Sequence, residues 1–179
     1  MGEFVSCVDR EAALRLIAHE LSDGFRALLP ETYGILQASN LTVCDSVNAV
    51  VLSGSRGPKG GYRSDSDVDL TLLIDTEYLR EAANQDLLLR ETLATTLNCW
   101  RATVELDTAA AFEKSDCALK CFYCRYDELD CRLEQPDCFA VYKTQKGFDG
   151  TVPEMGLQIS KVHPLICIWD RRRPHALEA

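Results

Sequence analysis

The chain lacks any apolar segment long enough to serve as a membrane-spanning helix. Such a helix needs about 18 or more consecutive apolar residues, and no run in the sequence approaches that length. Residues 1–6 also lack the basic region and apolar core of a signal peptide, which predicts a cytoplasmic protein. Repeats and low-complexity tracts are missing as well, and from the length of 179 residues we expect a single domain over residues 1–179.

Basic residues are in short supply relative to acidic ones. The sequence has 19 Lys and Arg residues against 28 Asp and Glu residues, which gives a net charge of −9. Broad, sequence-independent nucleic-acid binding requires a basic face. The composition therefore argues against that function.

Cysteine, by contrast, is abundant, with nine residues in a chain that shows no export signal. This odd number predicts thiols that are mostly buried and unpaired. A cysteine-based zinc interaction module is an alternative, although the spacing does not match the paired cysteines of zinc ribbons. Three ligands would come from a set of five: Cys117, Cys121, Cys124, Cys131 and Cys138.

Two apolar runs on either side of a Gly-rich loop form the most informative pattern in the sequence. The first run, Val47–Ser53, ends at Gly54-Ser55, and the second run begins with Asp67 and Asp69. Because side chains alternate along a strand, these two carboxylates are predicted to share a face, with Cα atoms about 6–7 Å apart. That separation suits a pair of divalent ions, which lie about 3.5–4 Å apart in two-metal phosphoryl-transfer sites.

The Gly-Ser end of the first run has the properties of a phosphate-binding bend. Gly54 has no Cβ, so its backbone can approach a ligand closely, and Ser55 offers a hydroxyl group. The loop also carries three basic side chains that are expected to meet triphosphate oxygens. These are Arg56, Lys59 and Arg63.

Residues 52–73 resemble the nucleotidyltransferase superfamily, which includes DNA polymerase beta, kanamycin nucleotidyltransferase and the minimal nucleotidyltransferases. The pattern of that superfamily is an apolar strand, Gly-Ser, a loop and then Ser-Asp-x-Asp-Leu. The resemblance implies that Asp67 and Asp69 are metal ligands and catalytic residues. It also implies that Gly54 and Ser55 contact the triphosphate.

The loop is slightly longer than in the common small members of the superfamily. Either Ser64-Asp65 or Ser66-Asp67 can therefore take the Ser-Asp position of the pattern. We favour Ser66-Asp67 because Leu70 continues directly into the second apolar run. Ser66 is then expected beside the triphosphate.

The resemblance further implies a third carboxylate on a later strand, which shares a metal ion and acts as general base. The predicted strand at residues 102–107 offers two candidates, Glu105 and Asp107. Asp is the commoner residue at this position in the superfamily, which favours Asp107. The unbroken alternation before Glu105 favours that residue, so both stay open, with a preference for Asp107.

The remaining pattern predicts an α/β fold in which a mixed β-sheet is backed by helices, as in nucleotidyltransferases. The catalytic core would cover about residues 47–107. We predict helices at 9–29 and 77–97, a poorer helix or a loop at 33–41, and a helical turn at 109–113. The predicted strands are 47–53, 68–75, 102–107, 137–143 and 164–170, with a tendency to strand at 117–126 and a loop at 145–156.

Residues 108–179 carry no motif that assigns them a role. An acceptor pocket would come from this segment, from the second copy of a homodimer or from a partner protein. Several of its side chains are candidates to line a nucleotide or acceptor pocket: Tyr142, Lys143, Lys146, Lys161 and His163.

These observations lead to the expectation of a Mg²⁺- or Mn²⁺-dependent nucleotidyltransferase. Such an enzyme moves a nucleoside monophosphate from an NTP to an acceptor hydroxyl and releases pyrophosphate. The sequence leaves open whether the acceptor is a small molecule, a protein side chain or an RNA end. An alternative is a catalytically silent module of the same fold that binds a partner protein, as in toxin–antitoxin systems.

Overall fold

A six-stranded mixed sheet contains two of the predicted acidic residues, Asp69 and Asp107. The computed structural model describes residues 14–114, 119–123, 138–153 and 164–172. Within these residues the strands are β1 (Leu14–Leu16), β2 (Thr42–Cys44), β3 (Val47–Ser53), β4 (Val68–Ile74), β5 (Leu106–Glu113), β6 (Phe139–Lys143), β7 (Gly150–Thr151) and β8 (Ile166–Asp170). The large sheet has the order β7-β6-β5-β4-β3-β8, and β1 and β2 form a separate antiparallel pair.

Helices complete the predicted α/β class. In the described parts of the chain they are α1 (Asp23–Leu28), α2 (Pro30–Gln37), α3 (Thr76–Glu81) and α4 (Gln85–Cys99), together with a short 3₁₀ helix at Lys120–Phe122. The predicted mixed sheet with helices is therefore confirmed at this level. Across the ranges that the structure covers, no helix has both the length and the apolar character needed to cross a bilayer.

The order of the central strands brings three chain segments to one end of the sheet. Strand β4 runs antiparallel to β3, with Ser53 opposite Asp69. It runs parallel to β5, with Asp69 beside Asp107. A parallel pair needs a crossover connection, and α3 and α4 provide it here. As a result, the end of β3 and the beginnings of β4 and β5 lie next to one another.

The central strands are buried on both faces, which explains their nearly continuous apolar sequences. On one face, Leu52, Leu70 and Leu72 belong to a large core cluster that includes Phe25 and Leu93 from the helices. On the other face lies a second cluster, which contains Val51, Leu73, Ala111, Phe122 and Phe139. Alternation along β4 puts Asp69 on the same face as this second cluster.

The predicted N-terminal helix at 9–29 is wrong over residues 14–22. Residues Leu14–Leu16 form β1, which pairs with Thr42–Cys44, and helix α1 begins only after Ser22. The Ser22 side chain caps that helix by accepting a hydrogen bond of 3.2 Å from the Phe25 N–H. The helical spacing of this segment cannot reveal that it pairs with a strand 28 residues further along the chain. Residues 9–13 lie outside the described part of the chain.

Other element boundaries also differ from the prediction. The helix predicted at 77–97 is divided into α3 and α4 by residues 82–84, and Asn84 caps the second helix. The segment predicted at 33–41 as a poorer helix or a loop is helical only to Gln37, as part of α2, which begins at Pro30, in keeping with the preference of proline for the first helical turn. The loop predicted at 145–156 contains the short strand β7.

The third central strand shows the largest shift. We predicted a strand at 102–107 and a helical turn at 109–113, but strand β5 covers Leu106–Glu113. Parallel pairing with β4 and antiparallel pairing with β6 supply hydrogen-bond partners for this Ala-rich segment, and such context overrides a weak local preference. The strands predicted at 47–53, 68–75, 137–143 and 164–170 are confirmed to within two residues at each end.

Candidate active site

Asp69 and Asp107 lie side by side on neighbouring parallel strands. Asp107 is 7% exposed and Asp69 is half-buried. Asp67 immediately precedes β4, and one ammonium group, that of Lys146, contacts both its carboxylate and that of Asp107. The three acids are thus gathered at one end of the sheet. Glu105 is exposed and lies before β5, where its carbonyl accepts a 2.9 Å hydrogen bond from the Val68 N–H.

The bend at Gly54 lies directly against the Asp69 carboxylate. Gly54 has a φ of +72°, and a Cβ added there would lie 2.0 Å from Asp69 Oδ2. Gly57 is similarly confined, because an added Cβ would lie 2.9 Å from the Ser53 carbonyl oxygen. The Gly57 N–H donates to the Gly54 carbonyl at 3.0 Å, so the chain turns at once after β3. Residues 55–59 form turns, and half-buried Ser55 therefore caps no helix.

The buried Arg56 side chain holds the loop together through hydrogen bonds to its backbone. It is 5% exposed, and its Nε donates to the Ser66 carbonyl at 2.7 Å. Its Nη2 donates to the carbonyls of Arg63 and Ser64 at 3.2 and 3.3 Å, and its guanidinium lies 4.7 Å from the centre of the Tyr62 ring. The structure therefore uses this charge to hold the loop together, although the sequence predicted a contact with phosphate.

The other polar side chains of the loop divide between its interior and its surface. Ser66 Oγ accepts a 2.8 Å hydrogen bond from the Arg63 N–H, so Ser66 also closes the loop. Lys59 is exposed, and the exposed Arg63 side chain lies 3.2 Å from Asp65. Such solvent-exposed ion pairs contribute little to stability. Lys59 and Arg63 are therefore the loop cations whose side chains are exposed to solvent.

Two lysines from the far side of β5 reach the acids. Lys146 Nζ lies 2.5 Å from Asp67 Oδ2 and 3.1 Å from Asp107 Oδ2. Lys143 Nζ lies 2.7 Å from Asp107 Oδ1. The sequence marked both lysines only as candidates to line a pocket, because nothing local predicts that β6 pairs with β5.

Gln145 is a residue of the site that sequence reasoning missed. Its side-chain Nε2 donates to the Leu106 carbonyl at 2.9 Å, and its Oε1 accepts from the Thr108 N–H at 3.0 Å. These two bonds fall on either side of Asp107. Gln145 therefore fastens the turn that carries Lys146 to the strand that carries the buried acid. An isolated glutamine in a loop gives no sequence signal for such a contact.

The charges of the site shift the pKa values of its carboxyl groups in opposite directions. The hydrogen bond from Lys146 holds the pKa of Asp67 below its usual value. Burial, followed by the negative charge of Asp107, raises the pKa of Asp69. The pKa of Lys146 is itself raised by its hydrogen bonds to Asp67 and Asp107. The charged form of Asp69 is thus disfavoured in the folded protein, and a bound cation would stabilise it.

The donor set fits a hard divalent cation in its chemistry. Carboxylate oxygens are the ligands that Mg²⁺ prefers, and Asp107 Oδ1 is buried without a hydrogen bond of good geometry, although Lys143 is near. Over the described ranges, however, no three His, Cys, Asp or Glu side chains are close enough together to form a ready-made metal site. The Lys146 ammonium, which contacts both Asp67 and Asp107, takes the place that a shared cation would need.

The remaining predicted residues that the structure describes lie outside this group of acids and lysines. Tyr142 donates a 2.5 Å hydrogen bond to Asp86 at the start of α4. Cys121 and Cys138 are buried in the second core cluster. Five predicted residues lie outside the described part of the chain: Cys117, Cys124, Cys131, Lys161 and His163.

Comparisons with known proteins do not identify a family for this chain. No protein family, curated protein or solved structure matches this chain. Support for a nucleotidyltransferase therefore comes from the residues themselves and from their arrangement.

Proposed function

We propose that this chain is a Mg²⁺- or Mn²⁺-dependent nucleotidyltransferase. The observation that supports this function best is the juxtaposition of Asp69 and Asp107 on parallel strands, with the Gly54 bend against the Asp69 carboxylate. Two buried or half-buried acids beside a glycine bend have little value for stability. They are well suited to holding a cation with an attached phosphate chain.

The proposed roles follow from position. Asp67, Asp69 and Asp107 supply oxygen ligands, and the metal ion, when bound, neutralises charge on the triphosphate and on the departing pyrophosphate. Gly54 allows the phosphate chain to approach the backbone. Lys59 and Arg63 offer positive charge from the loop surface.

Asp107 is the proposed general base because it lies near the start of β5, buried beside Asp69. It accepts the proton of an acceptor hydroxyl whose oxygen forms a bond to the α-phosphorus. The bond from that phosphorus to the α–β bridging oxygen breaks, and pyrophosphate leaves with that oxygen and its electron pair. The acceptor remains undefined among small molecules, protein side chains and RNA ends.

The proposal is tested by thermal unfolding with each of the four NTPs, in the presence and absence of Mg²⁺ or Mn²⁺. A ligand that binds only the folded state stabilises it by about 2.7 kcal/mol at a hundredfold excess over Kd. We expect stabilisation only when nucleotide and metal are both present, and we expect Asp69→Asn to abolish it. Asp65→Asn is the matched control in the same loop. Failure of every combination to stabilise the wild-type protein would refute the assignment.

A catalytically silent module that binds a partner protein is the second candidate. It is favoured by the ion pairs of Lys143 and Lys146, which already neutralise much of the acidic charge. Calorimetric titration with Mg²⁺–NTP would show no heat of binding for such a module. The cysteine-based zinc module remains a prediction, and metal analysis of protein purified without a tag would reveal one zinc ion per chain if it is right.

A further inference from the structure

Lys146 differs from Lys143 in how it contacts the acids. The Lys143 side chain is 17% exposed and contacts Asp107 alone, whereas Lys146 is 54% exposed and contacts both Asp67 and Asp107. A long, largely solvated side chain can leave its partners without disturbing the core around it. Lys146 is therefore the exchangeable cation of the pair, and Lys143 is the fixed one.

The backbone keeps the exchangeable ammonium close to the acids. Lys146 has a φ of +55°, which is uncommon for a residue with a side chain, and Gly147 follows with a φ of +85°. The side chain of Gln145 fastens this turn to the backbone on both sides of Asp107. If Lys146 leaves the carboxylates, its ammonium must therefore remain near them.

These contacts create a competition between the ammonium and a divalent ion. A free cation can bind Asp67 and Asp107 together only after it displaces Lys146, and the displaced ammonium gains no new partner. A cation that carries a triphosphate brings an anion with it, to which the released ammonium can pair at once. The displacement is then compensated within the same complex.

We propose that Lys146 makes this site select a metal–triphosphate complex over the free divalent cation. The inference rests on the proposed function and specifies how its metal and nucleotide are bound together. Lys146 acts here as a positioning and selectivity residue. Asp67, Asp69 and Asp107 remain the ligands.

The experiment compares the binding of two probes. Binding of free Mn²⁺ is measured by electron paramagnetic resonance, and binding of a preformed Mn²⁺–tripolyphosphate complex is measured by calorimetry. We expect Lys146→Gln to bind free Mn²⁺ about tenfold more tightly than the wild-type protein, because the competing charge is gone. The same variant should bind Mn²⁺–tripolyphosphate several-fold more weakly. Lys146→Arg keeps the charge, so its affinities for both probes should stay close to those of the wild-type protein.

Lys114→Gln is the matched control, since Lys114 is exposed at the opposite end of β5, and circular dichroism checks that each variant is folded. Equal changes for the two probes, or no change, would overturn the selectivity role while leaving the nucleotidyltransferase proposal in place. If the wild-type protein does not bind Mn²⁺–tripolyphosphate, the selectivity proposal fails, while thermal unfolding with the four NTPs decides the nucleotidyltransferase proposal separately. A role of Lys146 in folding alone would not produce opposite changes for the two probes.

Discussion

At Gly54 the backbone leaves no space for a side chain. An alanine Cβ would overlap Asp69 Oδ2 and would also have to adopt a φ of +72°. We expect Gly54→Ala to lower the free energy of unfolding by about 1–2 kcal/mol for the left-handed backbone. A further ~1–3 kcal/mol would come from the displaced carboxylate. Urea unfolding at neutral pH measures the total.

Gly60→Ala separates these two contributions. Gly60 has a φ of +70°, but an added Cβ would meet no atom within 4 Å. Gly60→Ala should therefore show the backbone cost alone, and Asp69→Ala should recover part of the loss in the Gly54→Ala protein because neighbouring residues are coupled. Equal losses at Gly54 and Gly60 would contradict the contact between the bend and Asp69.

Arg56 shows why the direction of a single loop residue is difficult to predict. Its position beside Gly54-Ser55 suggested a phosphate contact, whereas it is buried and bound to three carbonyls of its own loop. Periodicity determines side-chain direction in helices and strands. It has no equivalent in an irregular loop, where the backbone carbonyls that need donors become known only from the fold.

The raised pKa of Asp69 predicts that this residue lowers stability at neutral pH. Burial and the charge of Asp107 disfavour its charged form in the folded state, so Asp69→Asn should increase the free energy of unfolding at pH 7. The gain is full above the folded-state pKa and shrinks as the pH falls through it toward the ordinary value of 3.8.

Urea unfolding at pH 7 and at pH 4 tests this dependence. Asp65→Asn serves as the control, since Asp65 is exposed and its replacement should change stability by no more than about 0.5 kcal/mol. A gain of equal size at both pH values would show that charge on Asp69 is not its cause. Loss of metal–nucleotide stabilisation in the same variant would mark a residue retained for function at a cost in stability.

At the scale of elements, the sequence predicted the strands that consist of apolar runs. It did not predict the bounds of a strand that depends on pairing with its neighbours. Val47–Ser53 and Val68–Ile74 are buried on both faces, so their composition alone identifies them. Strand β5 was placed four residues too early, because its Ala-rich half has no local strand signal. Asp107 was favoured by the family pattern, but only the register of β5 against β4 puts it beside Asp69.

The turn between β6 and β7 depends on one side chain for its attachment. Gln145 satisfies the Leu106 carbonyl and the Thr108 N–H, which precede the first residue pair between β5 and β6, Ala110 and Tyr142. We expect Gln145→Ala to lower the free energy of unfolding by about 1–3 kcal/mol, the sum of two hydrogen bonds. Urea unfolding measures the change, and Gln37→Ala on the exposed side of α2 is the control.

A second measurement distinguishes attachment of the turn from general destabilisation. Because Lys146 holds the pKa of Asp67 low, release of the turn should raise that pKa toward its ordinary value. Carboxyl chemical shifts followed through a pH titration report it. If the pKa of Asp67 were unchanged in Gln145→Ala, the turn would stay in place without the two Gln145 hydrogen bonds.

For the whole molecule, the site combines a rigid part with a movable one. The acids lie at the start of β4 and β5, and each of these strands has a neighbour on both sides in the sheet. The two lysines come from the next strand and from a turn near the edge, where β7 is only two residues long. This arrangement fits the proposed displacement of Lys146, since the acids on central strands can keep their positions while the peripheral lysine leaves.

This division predicts a gradient of hydrogen exchange across the sheet. Amides of Val68–Ile74 should exchange with a free energy close to that of global unfolding, because β4 is paired on both edges and buried on both faces. Amides of residues 146–149 should exchange several kcal/mol more easily, since this turn is largely exposed. Native-state exchange measured by NMR at low urea resolves the two groups. If the turn opened only together with β4, Lys146 would be part of the rigid framework and would not be free to leave the acids when a cation binds.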